Sequence, residues 1–299
     1  MLYEFALEPS ALYELAKSTR DFRDFIQRFA IGTPEVLSDY PKLKKLRRQV
    51  LSGQPNDAGP GEQARLEELL RFVGESPRVK RAGAYNDTDD WKLNVDTEHK
   101  RIPFDHILCC EGENGLGYTS LEALYEGAVS YPSQLPVRRV AAQMSATIAS
   151  MLRLASRVVF VDPYFNDRNS KWLPFIQFVN AALSNKPGDG LLIEVIYGFN
   201  KARAARPQFL IDKFRRENVQ LANNRAIKFI GVEETVGGEK LHNRYVLTDI
   251  GGVFFGIGLD EDDENHQDDV ALLNEHLYPL RWSQYAQLEG FELVEEASL

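Results

Sequence analysis

The sequence predicts an α/β protein. A mostly parallel sheet flanked by helices is expected across residues 137–299, preceded by a mainly helical or mixed N-terminal domain of unassigned fold across residues 1–130. Three observations carry this reading. Beyond Pro136, β-branched and aromatic runs alternate with segments of helical periodicity. Before residue 75, apolar residues recur mainly at helical spacing. Between them, residues 78–110 mix short apolar runs with polar breaks and read as β-like.

In chain order, Leu12, Leu15, Phe22, Phe25, Ile26 and Phe29 mark N-terminal helices, and Pro41-Lys42-Leu43 is a helix opening. The Gly53–Gly61 stretch is a turn-rich linker, after which Glu62–Phe72 resumes the helical pattern. Trp91–Val95 and Ile107–Cys110 read as strands. Val137–Leu154, rich in Ala, Met, Leu and Ile, predicts a buried helix leading into the central strand Arg157–Val161. Lys171–Leu183 predicts the next helix and Leu191–Tyr197 the next strand. Residues 201–217 read as largely helical, with Pro207 starting the second part. Ile227–Ile230, the segment around His242, and Val253–Ile257 complete the predicted strands, and a helix is expected around Leu277–Leu288. An antiparallel pair is expected to end the sheet.

Composition narrows the function classes. The 299 residues are 43% hydrophobic, enough for one large domain or two. No run approaches the roughly 18 apolar residues of a membrane span. Met1-Leu2-Tyr3-Glu4 lacks the basic start of a signal peptide, and the only cysteines, Cys109 and Cys110, are adjacent. A reducing, cytoplasmic setting is the expectation. The net charge of −9 opposes non-specific attraction to DNA or anionic lipid. That charge is uneven. Lys201, Arg203, Arg206, Lys213, Arg215 and Arg216 stand against only Asp212, whereas residues 260–269 hold seven acids and no Lys or Arg. The basic segment could hold a nucleic acid or another polyanion, with the acidic run elsewhere or in its place; alternatively both are solvated surfaces.

The segment Leu241-His242-Asn243-Arg244-Tyr245-Val246-Leu247-Thr248-Asp249, followed by Ile250-Gly251-Gly252, predicts a strand, a tight turn and a second strand. Residues two apart on a strand share a face, so His242 and Arg244 are expected to project together. An acid-base or nucleophilic group beside a permanent cation suits gripping and attacking a phosphate. Asp162, just beyond a buried strand, either approaches His242 and orients its imidazole or simply ends the strand in a turn. His99, His106, Cys109 and Cys110 match no usual zinc spacing, and the acidic run lacks the spacing of a calcium loop. The preferred reading there is buried cysteines, surface histidines and a solvated mobile loop.

Over roughly residues 137–299 the chain resembles the phospholipase D superfamily, through the strand order and the His-x-Arg-x4-Asp segment of His242, Arg244 and Asp249. It looks most similar to the phospholipase-D-like C-terminal domain of microtubule-interacting-and-trafficking proteins, through Asp162-Pro163-Tyr164-Phe165 and Gly256-Ile257-Gly258-Leu259-Asp260. Similar bacterial proteins look like members of defence loci. The resemblance implies His242 as nucleophile, Arg244 as phosphate clamp and Asp249 as an orienting or structural carboxylate, with neither metal nor other cofactor. Active members carry Lys where Arg244 stands, and a guanidinium grips phosphate with a different geometry. Because the chemistry needs two histidines and the chain has one such motif, a homodimer is implied. The function favoured on this basis is a metal-independent phosphodiesterase, a dimeric nuclease acting in antiviral defence. The alternative is a catalytically degenerate module binding a phosphate-bearing ligand or a protein partner, because Ile257 and Leu259 stand where a hydroxyl or amide is expected.

Overall fold

The computed structural model describes residues 1–55, 58–110, 117–127, 129–184, 190–201, 204–217, 221, 225–263 and 265–299. The chain is α/β and divides into two compact units, Leu2–Tyr131 and Pro132–Leu299, the latter with Met1. No helix among the described residues is long and apolar enough to cross a membrane.

The N-terminal unit runs β1 (Tyr3–Leu7), α1 (Ala11–Lys17), α2 (Thr19–Arg28), β2 (Glu35–Ser38), α3 (Leu43–Gly53), α4 (Pro60–Glu75), β3 (Arg78–Val79), α5 (Trp91–Arg101), β4 (His106–Cys109), β5 (Tyr118–Ser120) and α6 (Leu121–Tyr125). Its strands form a parallel sheet in the order β3-β2-β1-β4-β5. The two-residue period of a strand divides the core. Phe5, Leu7 and Leu108 face one cluster with Leu12, Leu15, Phe25, Leu69 and Val73, while Ala6 and Ile107 face the other with Tyr40, Val95 and Phe104. The predicted strand at Trp91–Val95 is corrected: it opens α5. Asp90 caps that helix by accepting from the Leu93 N–H at 2.7 Å, and His99, Lys100 and Arg101 complement its C-terminus.

The C-terminal unit runs β6 (Gln134–Arg138), α7 (Ala141–Leu154), β7 (Arg157–Val161), α8 (Asn169–Leu183), β8 (Leu191–Gly198), α9 (Pro207–Arg216), β9 (Arg225–Glu234), β10 (Arg244–Thr248), β11 (Gly251–Phe255), β12 (Gln267–Leu272), α10 (Leu277–Arg281), a π-helical turn at Trp282–Ala286, and β13 (Phe291–Ser298). These strands form one sheet in the order β13-β9-β8-β7-β10-β11-β12-β6. The expected mostly parallel sheet is corrected here. β7, β8 and β9 are parallel, and every other described pairing is antiparallel. A tight two-residue connection, Asp249-Ile250, makes β10 and β11 a hairpin, and the other antiparallel pairs join strands distant in sequence or linked by a longer connection. Gly251 and Gly252, expected in that turn, instead begin β11. A Cβ on Gly252 would lie 2.8 Å from Leu247 Cδ2 and 3.2 Å from Leu273 Cδ1, so the strand approaches its surroundings too closely for a side chain.

The core of this unit is aromatic. Phe160 on β7 meets Phe175 and Phe178 of α8, and Trp172, Phe165 and Phe229 stack around them. Pro174 lies inside α8 and has no N–H to give the Ser170 carbonyl. That carbonyl accepts instead from the Glu261 N–H at 2.7 Å, which ties the acidic connection after β11 to the start of α8. Arg139 adds ion pairs to Asp260 at 2.9 Å and Asp262 at 2.7 Å. Thus most of the described acidic residues are anchored or continue into β12, while Asp262, Asp263 and Asp269 stay exposed to solvent as the composition predicts; Glu264 lies outside the described residues.

Candidate functional site

The parallel strands β7 and β8 end side by side, and antiparallel β10 begins beside the end of β7. The register pairs Tyr245 with Val161 and Val246 with Phe160, which sets Arg244 level with Asp162 on the next step. Cross-strand partners project from the same face, so Arg244 and Asp162 share a face with Phe160. Connections diverge at this end of the sheet, where open α/β sheets gather ligands.

Asp162 is fully buried and both of its oxygens are engaged. Oδ1 accepts from the Tyr164 N–H at 2.9 Å, and Oδ2 pairs with Lys171 Nζ at 2.7 Å. Of the two expectations for Asp162, the structure shows the turn: the carboxylate closes the turn after β7 and neutralises Lys171. Lys171 Nζ also stands 3.9 Å from Asp260 Oδ1.

The turn held by Asp162 presents Tyr164, which is 39% exposed. The Arg244 guanidinium lies over its ring at 5.5 Å from the centroid, and Lys201 Nζ lies 6.0 Å from that centroid. Lys201 follows β8 and pairs with Glu234 at 3.3 Å, whose carboxylate also accepts from the Leu241 N–H at 3.1 Å. Arg244 is half-buried, its Nε has no hydrogen-bond partner, and no carboxylate pairs with it among the described residues. It differs in lacking a carboxylate from Arg139, Arg157 and Arg281, each within 4 Å of one, although the Arg139 Nε is likewise without a partner. A half-buried guanidinium without a counter-charge keeps donors free for an acidic partner.

His242 departs from its predicted place. β10 begins at Arg244, so His242 lies before the strand rather than on it. It is exposed, and no group among the described residues bonds its ring. Asp249 lies at the opposite end of β10 and accepts from the Ser156 and Arg157 N–H groups at 2.8 and 3.2 Å. It fastens the start of β7. Ile257 is exposed and Leu259 buried beyond the end of β11, and Asp268 accepts from the Ile257 N–H at 2.9 Å.

The basic segment does not act as one surface. Helix α9 starts only at Pro207, because Arg206 remains extended. Arg206 pairs with Glu295 at 3.3 Å. Lys213 turns inward, donating to the Asp167 carbonyl at 2.6 Å and covering the Trp172 ring at 4.7 Å. Arg215 leans toward Asp212 at 3.8 Å, Arg216 is exposed, and Arg203 lies outside the described residues. Among the described residues of the segment, Lys201 alone joins Arg244. The sequence carries a signal for Tyr164 in its position just after the central strand, whereas Lys171, on α8, carries none.

In the N-terminal unit, His106 bonds Thr119 Oγ1 at 2.8 Å and Tyr131 Oη at 2.6 Å, while His99 Nδ1 accepts from the Phe104 N–H at 3.1 Å. Cys109 is buried, and burial pushes the half-buried Cys110 thiol up to about 11. Among the described residues, no group of three or more His, Cys, Asp and Glu side chains is arranged to hold a metal ion.

No protein-family model matches the chain, and no curated protein matches it. Among solved structures, one match is TrmBL2, an archaeal chromatin protein whose structure is described as showing a novel mode of DNA binding. It is 11% identical, with 96% of this chain and 100% of that chain covered and a TM-score of 0.29. A likeness at that level carries no argument about fold or function.

Proposed function

We propose that the C-terminal unit is a phospholipase-D-like module that recognises an esterified phosphate at the end of the sheet bearing Arg244, Tyr164 and Lys201. One observation carries the reading: the half-buried Arg244 guanidinium has no carboxylate partner among the described residues, and its Nε lacks an acceptor. Charge-assisted hydrogen bonds contribute about 1.5–3 kcal/mol each, and a guanidinium offers phosphate two parallel donors. Tyr164 holds the guanidinium plane from one side, and Lys201 adds a second cation near the same ring. Recognition without cleavage is favoured by His242, which no carboxylate orients among the described residues, and by apolar Ile257 and Leu259 beyond β11.

The second reading is a metal-independent phosphodiesterase, a nuclease of antiviral defence working as a homodimer in the cytoplasm. Its support is the exposed imidazole of His242, two residues before Arg244 and open to a second copy. The two readings separate in one set of measurements on the full chain. Under recognition, wild type binds diethyl phosphate or a short single-stranded oligonucleotide. Arg244→Ala then weakens binding by about tenfold or more, Arg244→Lys by less, and His242→Ala changes it little. Under cleavage, wild type hydrolyses bis(p-nitrophenyl) phosphate in EDTA and His242→Ala abolishes turnover. Equal binding by wild type and Arg244→Ala sinks the recognition reading.

A further inference from the structure

Helix α3 of the N-terminal unit has an outer face that the reading above does not use. Leu46 and Val50 turn into the core, whereas Leu43, Arg47 and Leu51 form one row four residues apart and Lys44, Arg48 and Ser52 form a second. The two rows border a shallow, open furrow on the surface of α3 itself. Leu51 is 60% exposed and lies one turn beyond Arg47 and Arg48. The five cations between Lys42 and Arg48 share two carboxylates. Lys42 pairs with Asp39 at 3.3 Å, and Lys45 and Arg48 both pair with Asp87. Asp39 is further claimed by Arg78 at 2.7 Å. Arg47 donates only to the Leu70 carbonyl, at 3.4 Å, and Lys44 has no carboxylate partner among the described residues.

We propose that this face is a docking surface for an acidic amphipathic helix of a partner protein. A groove between two rows spaced by four is the shape that receives the side-chain ridge of another helix. Its floor is aliphatic, made by Leu43, Leu51 and the stems of the arginines, and receives leucine-like side chains. Its rim is cationic and receives carboxylates flanking that ridge. A nucleic-acid strand fits less well, because the lining offers no aromatic ring for a base to stack on. Unbalanced positive charge on a chain of net charge −9 selects an acidic partner.

The test titrates the full chain with a fluorescent peptide stapled into a helix, bearing leucines along one row and glutamates on both flanks. A scrambled peptide of the same composition and a single-stranded oligonucleotide are titrated in parallel. The ordered peptide is expected to bind, and Leu51→Glu and the pair Arg47→Glu/Arg48→Glu each to weaken it by about tenfold or more. All three residues are exposed, so unchanged circular dichroism accompanies these losses. Any one of four results overturns the proposal: no binding of the ordered peptide, equal binding of the scrambled one, oligonucleotide binding that the double variant abolishes, or a wild-type dimer that Leu51→Glu makes monomeric.

Discussion

At the scale of single residues, Arg244 at the start of β10 and Asp162 just past the end of β7 stand level yet have opposite circumstances. Asp162 is fully buried and satisfied by Lys171 and a backbone N–H, while Arg244 is half-buried with no carboxylate partner among the described residues. Removing Lys171 should therefore expose the difference. Lys171→Met leaves a buried carboxylate without its cation and is expected to destabilise the fold by about 3–5 kcal/mol in urea unfolding. Adding Asp162→Asn should recover part of that loss, because a neutral amide tolerates burial better. Full stability in Lys171→Met would show that the pair contributes nothing. The His-x-Arg spacing made Arg244 legible from the sequence, because a strand period ties spacing to direction. His242 was misplaced because that period operates only within the strand, and β10 starts two residues later. Tyr164 was hidden for another reason: its exposure follows from a side-chain bond inside the turn, which spacing does not encode.

At the scale of elements, Asp249 separates structure from chemistry within one motif. Its carboxylate fastens the first residues of β7, five residues along β10 from Arg244. Asp249→Ala is expected to cost about 1–3 kcal/mol in thermal or urea unfolding while leaving phosphate affinity unchanged. Lost affinity in a protein of full stability would contradict the assignment. The legible elements were long and strongly periodic, as with α7, α8, β7 and β8. The elements missed from the sequence were those that exist only through pairing. β6 contains Pro136 and sits at the sheet edge, where a missing N–H is tolerated. β12 begins in an acidic run and is ordered partly by Asp268, whose carboxylate holds backbone N–H groups beyond β11. α5 was read as a strand because Trp91, Leu93 and Val95 alternate, although Asp90 and its basic last turn carried the helix signal.

At the scale of the whole molecule, the chain divides into two compact units, and the acid response belongs to the N-terminal one. Burial pushes His106 in the N-terminal unit below its ordinary value near 6.5, with Asp105 opposing the shift. Above that value the imidazole is neutral in folded and unfolded chains alike. As pH falls through about 6.5, the unfolded chain takes up the proton first, so stability declines. His106→Gln should therefore narrow the stability difference between pH 7.5 and 5.5, as read by hydrogen exchange of β4 amides. An unchanged difference would remove His106 from the acid response. The α/β class was legible from the alternation after Pro136, whereas the N-terminal parallel sheet was not. Its strands span two to five residues, too short to show against the stronger helical periodicity around them.

The most direct test of the phosphate site follows the Arg244 Nε–Hε resonance by NMR while the full chain is titrated with diethyl phosphate. The account predicts a saturable shift of that resonance, absent from Arg139 and Arg157, with Arg244→Ala removing both the signal and the binding. A resonance that stays fixed while ligand binds elsewhere, or while none binds, would contradict it.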